Sequence, residues 1–187
     1  MSARTLLSVL ACAAVLTSAR AEGQVGYQVD VGAAFPLGSN LSERAEKAGV
    51  HAGLGAYYVF SFGLGVGLRV TYDTAFSRSG QCSGARTCED AQFASVMPSL
   101  MYTGGTWYRY WVALSGGIFF NLVPRPATIA VAANNEIGFG MDFGAGISFK
   151  VWRDLALGPA VSVTLPNVRR LPDDFLVSAG LRIQWGL

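Results

Sequence analysis

Between Ile137 and Val151 the chain alternates without a break. Ile137, Phe139, Met141, Phe143, Ala145, Ile147, Phe149 and Val151 are apolar, while Gly138, Gly140, Asp142, Gly144, Gly146, Ser148 and Lys150 are tiny or polar. A period of two puts these sets on opposite faces of a β-strand. The run is longer than the about five or six residues usual in soluble sheets. It matches the about nine to eleven residues that a tilted strand needs to cross lipid.

Composition decides whether lipid is the right solvent. The 187 residues, enough for one domain, are 51% hydrophobic and only 14% charged, against about 25% charged in a soluble domain. Beyond the N-terminus no apolar run reaches the roughly 18 residues of a spanning helix. A closed barrel is the other way to satisfy every backbone group in lipid. The 23 glycines, spread through the alternating segments and not gathered in turns, point the same way.

The N-terminus supplies the route to a membrane. Arg4 precedes the apolar Leu6–Leu16, and Ala19-Arg20-Ala21 fits a small-x-small cleavage site. This is the pattern of a secretory signal peptide, with cleavage expected after Ala21. A lipoprotein signal ending at Cys12 is a looser alternative. Removing Arg4 and Arg20 balances acidic and basic residues, leaving no basic patch for nucleic acid.

Eight strands are expected along the rest: Val25–Phe35, Val50–Phe60, Leu64–Phe76, Ala91–Tyr102, Trp107–Phe120, Ile137–Val151, Leu155–Leu165 and Phe175–Leu187. Pro36 and Gly38 should stop the first. Asn40 and Glu43 are spaced as a capping box and Gly49 suits a helix C′ position, so the first connection should hold a short helix. Pro98 has no ladder donor and predicts a bulge in the fourth strand. The connections alternate long and short, as in transmembrane barrels with long extracellular loops and short periplasmic turns. Both termini would then be periplasmic.

Alternation alone does not say which face looks out, and a soluble lipocalin-like barrel with an apolar pocket is the inside-out alternative. Asp30, Arg69, Asp73, Arg109, Asp142, Lys150 and Arg182 all fall on the small-residue face. That face is mostly Gly, Ala and Ser, which suits a cramped lumen. Aromatic residues near strand ends, among them Tyr27, Phe35, Tyr58, Tyr72, Tyr102, Tyr110 and Trp185, suit two interfacial girdles. The expected fold is therefore all-β: an eight-stranded antiparallel up-and-down transmembrane β-barrel over residues 22–187, behind a cleaved signal at 1–21.

The C-terminal stretch Ser178-Ala-Gly180-Leu-Arg-Ile183-Gln-Trp185-Gly-Leu187 resembles the assembly signal of bacterial outer-membrane barrels, except that Leu187 stands where an aromatic is usual. In pattern and layout the chain is similar to the small eight-stranded group that includes OmpX, OmpW and the OmpA transmembrane domain. The resemblance implies a Gram-negative outer membrane, contact with its lipid, and insertion by the barrel assembly machinery.

The seven inward charges form the candidate site. A charge in a narrow lumen must be paired. Closing the barrel makes the first and last strands neighbours, so Asp30 should meet Arg182, with Arg69 and Asp73 extending the network. Such a network is either a rigid polar plug or a constricted ion path. Cys82 and Cys88 share a long loop and suit a disulfide in an oxidising compartment; a metal site would need more ligands than His51 adds.

No catalytic residue, cofactor or metal is expected. His51 is the only histidine and is followed by Ala52 and Gly53, and no Gly-x-Ser-x-Gly elbow occurs. The apolar run Ile129–Ala133 in the third long loop suggests a cover over the mouth, a contact for a partner or small apolar ligand, or a hairpin extension. A monomer with a structural or surface-interaction role is expected, with a narrow channel for small or hydrophobic solutes as the alternative.

Overall fold

The computed structural model describes residues 23–38, 48–75, 91–122, 137–166 and 174–186. All regular structure in them is strand: β1 (Gly23–Gly38), β2 (Gly49–Phe60), β3 (Leu64–Ala75), β4 (Ala91–Gly104), β5 (Tyr108–Asn121), β6 (Ile137–Trp152), β7 (Leu155–Leu165) and β8 (Asp174–Trp185). Each pairs antiparallel with the next, and β1 pairs with β8, so the sheet closes into a barrel. Short turns at 61–63, 105–107 and 153–154 lie at the end where β1 begins and β8 stops. In the first, the Gly63 amide donates to the Phe60 carbonyl at 2.8 Å with φ at 90°, a conformation that favours glycine.

The two parities face different solvents. Leu54 is 59% exposed and Phe143 54%, both on the outer face, while Asp142 is 0% exposed on the inner one. An apolar outside around a polar interior removes the lipocalin-like alternative, which needs the reverse. Every ring–ring contact among the described residues lies at the turn end, including Tyr27 stacked on Trp185 at 5.7 Å and Tyr102 near Tyr110 at 6.3 Å. Of the two expected girdles, this one is dense. At the other end Phe35, Tyr72 and Phe139 stand exposed without such contacts.

Several sequence expectations need correction. β1 runs through Pro36 to Gly38. Its pairing with β2 ends at Ala34, and beyond that, among the described residues, it pairs only with β8. A missing donor costs little on an unpaired side. β2 opens at Gly49, one residue before its expected start. Pro98 causes no bulge: Val96 opposite Ile118 and Ser99 opposite Ser115 share one register on either side of it. The register shift among the described residues falls between Lys150 and Trp152. β8 stops at Trp185, where Gly186 turns out of the strand with φ at 75°. The signal segment, the expected helix from Asn40, Cys82 and Cys88, and the Ile129–Ala133 run lie outside the described residues.

The strand glycines now have a physical reason. A Cβ on Gly55 or Gly67 would come within 2.7 Å of the Tyr57 ring, and one on Gly146 within 2.8 Å of the Trp111 ring. The interior of an eight-stranded barrel is just wide enough for side chains to fill. Glycine, on the same strand or the next, leaves a bay for a large inward ring. Tyr57, Trp111 and Phe119 are each no more than 2% exposed.

Candidate functional site

Four of the inward charges meet in one network at the middle of the lumen. Asp30 on β1 and Arg182 on β8 are register partners across the closing seam. Arg182 Nε donates to Asp30 Oδ1, and Nη2 donates to Oδ2 at 2.9 Å. Arg69 on β3 donates from Nη2 to Asp30 Oδ2 at 3.2 Å and from Nη1 to Asp142 Oδ1. Thr164 on β7 donates its hydroxyl to Asp142 Oδ2 at 2.8 Å. β3 and β6 are not neighbours in the ring, so the Arg69–Asp142 bond crosses the lumen.

The electrostatics explain why such a cluster can be buried. Two arginines face two aspartates, and every carboxylate oxygen accepts at least one hydrogen bond. Buried ions persist when they are paired; on the cationic side Arg69 Nε and Arg182 Nη1 have no hydrogen-bond partner among the described residues. The Arg182 guanidinium also lies over the Trp111 ring, 3.2 Å from its centroid, a cation–π contact from β8 to β5.

Beside the network lie smaller polar chains. Tyr57 Oη accepts from Gln28 Nε2 at 3.2 Å and lies 3.1 Å from Ser99 Oγ, to which Ser115 donates at 2.8 Å. Thr71 pairs with Ser95 at 2.7 Å and Ser162 with Ser178 at 2.6 Å. Towards the turn end, Tyr57, Val59, Met101, Trp111 and Ala113 form an apolar cluster that completes the filling.

The remaining expected members lie elsewhere. Asp73 does not extend the central network; its Oδ1 lies 2.6 Å from Nδ1 of His51, its register partner on β2. A turn at 61–63 fixes that register, so the pair was legible from the hairpin alone. Arg109 is half-buried at the turn-end mouth, and Asp154 is the acid that acts on it. Lys150 has the inward parity but is exposed, because β6 runs past the last filled layer before its turn. Sequence reasoning also missed Trp111 and Thr164 as network members. Their inward parity was readable, but which inward groups meet across the lumen depends on the stagger of the closed ring. Among the described residues no group of three or more His, Cys, Asp or Glu side chains is placed to hold a metal.

Replacing Arg182 by alanine should strip Asp30 Oδ1 of its donor and uncover Trp111. The expected result is a lower unfolding temperature on a heat-modifiability gel, and an unchanged temperature would contradict the pairing.

A closed ring of eight antiparallel strands, apolar outside and ion-paired within, is the fold of the small membrane-spanning barrels. Among solved structures the chain is similar to Neisserial surface protein A (NspA), with a TM-score of 0.65 and 12% identity over 87% of this chain and 97% of that one. It is also similar to Ail, the attachment invasion locus protein of Yersinia pestis in complex with the heparin analogue sucrose octasulfate (TM-score 0.57, 14% identity, 89% and 99% of the two chains). A third likeness is to the outer membrane protein OprG from Pseudomonas aeruginosa (TM-score 0.51, 13% identity, 89% and 99%). No family model and no curated protein matches the chain. At these identities the likeness is one of fold.

Proposed function

We propose that the protein is a non-enzymatic, integral outer-membrane barrel with a sealed lumen, serving a structural or surface-contact role through its loop end. The observation that carries this reading is the lumen filling. Arg69, Asp142 and Arg182 are each no more than 1% exposed at mid-barrel, and the Tyr57–Trp111 cluster closes the next layer. A path for solutes would have to break the buried ion pairs, at several kcal/mol per ion. What remains for contact with the outside is the end carrying the long connections. In this reading those face outward and both termini face the periplasm, the usual layout of such barrels. Likeness to a protein named for surface location and to one named for attachment supports contact over transport.

The test is conductance after reconstitution into planar bilayers, preceded by fractionation. Recovery with the detergent-resistant outer membrane and a flat current trace are the expected results. A soluble periplasmic pool would overturn the location. Reproducible single-channel steps that shift when Arg69 or Asp73 is replaced would overturn the sealed lumen in favour of a narrow channel.

A further inference from the structure

The turn end carries a crevice of about 660 Å³ whose chemistry differs from the rest of the barrel. Its inner wall includes the buried Val59 and the half-buried Arg109; its outer wall includes the rings of Phe60, Phe62, Tyr102 and Tyr110. Phe62 is 61% exposed, and Tyr102 and Tyr110 are 42% and 43% exposed. The crevice therefore runs from the lumen mouth to the aromatic belt. Among the described residues no acidic side chain lines it and Arg109 makes no ion pair; Asp154 acts on it only at a distance from the 153–154 turn. The Thr103 hydroxyl, also in the lining, is a buried atom with no hydrogen-bond partner among the described residues.

The lining also carries the polar Gln24 and Ser61; a single cation at one side and exposed rings at the other select an anion with an apolar body. The size falls within the roughly 300–1,000 Å³ of small-ligand pockets, room for one acyl chain. We infer that this crevice binds a single-chain carboxylate amphiphile, a free fatty acid, with its carboxylate on the Arg109 guanidinium and its chain along the belt rings. The inference rests on the membrane reading above, since the belt would supply the ligand from the surrounding lipid.

The full barrel in phosphatidylcholine nanodiscs tests it, with a stearic acid bearing a nitroxide near its carboxyl end as the probe. The acid should selectively broaden the amide signals of Gly63, Gly104 and Gly105 and spare Gly140 at the other end. The methyl ester of the same probe should show no such preference. R109Q, checked for an unchanged heat-modifiability shift, should weaken the acid's effect about tenfold, the loss of one charged contact; R109K should keep most of it. Equal broadening by acid and ester, or a wild-type response from R109Q, would overturn the site. So would loss of the effect in discs containing phosphatidylglycerol, because the crevice would then take a headgroup phosphate. Failure to enter nanodiscs would instead overturn the membrane reading.

Discussion

Arg69→Ala is expected to destabilise the barrel by about 3–5 kcal/mol, the range for breaking a buried ion pair by removing one partner. Arg69 is the cation that holds both aspartates. Without it Asp30 keeps Arg182, but Asp142, 0% exposed, keeps only the Thr164 hydroxyl. Urea-driven unfolding in lipid vesicles, followed by the mobility difference between folded and unfolded bands, measures the loss. The double replacement Arg69→Met with Asp142→Leu should recover most of it, since apolar groups of similar volume can replace a buried pair at little cost. A single-variant loss below about 1 kcal/mol, the worth of an exposed pair, would show that the lumen is wet enough to screen these charges.

The second large effect is expected at the seam. Gly32 and Gly180 are register partners where β1 meets β8. A Cβ on Gly180 would strike the Val31 carbonyl oxygen and come within 2.5 Å of the Gly32 Cα, both backbone atoms that cannot swing aside. Gly180→Val should therefore force the two strands apart and cost about 3 kcal/mol or more, the upper range for overpacking. Gly116→Ala is the control. The nearest atom to its added carbon is at 3.6 Å, on the flexible-side-chain end of Phe139, and the expected change is within about 0.5 kcal/mol. Vesicle refolding yields and urea midpoints for the two variants give the comparison. Similar losses in both would mean that strand flexibility, and not space at the seam, governs the glycines.

How much of this was legible in the sequence follows from what each feature depends on. The two-residue period of β6 depends only on a strand meeting unlike solvents on its faces, so strand count, pairing order and the inward set could be read directly. The Asp30–Arg182 pair needed one more step, closure of the ring, and was legible too. Strand ends were harder. Pro36 and Gly38 read as breakers because local propensity does not know that one edge of β1 lacks a partner among the described residues there. The charges at 109 and 150 share the inward parity of the network, but parity carries no depth, and both stand at the mouth. The Arg69–Asp142 bond was out of reach because it joins strands that never pair. Its existence depends on stagger and on side-chain length across the lumen, which no one-dimensional pattern encodes.

The bays opened by glycine beside Tyr57, Trp111 and Phe119 have a consequence for how this design can vary. Odd and even positions answer to separate demands: one parity sets how the wall sits in its bilayer, and the other sets what passes along the axis. Trimming those rings would leave the outer wallpaper untouched while hollowing the middle. A leaky descendant and a tight one can thus share the same address in the envelope, and selection can adjust either trait without renegotiating the other.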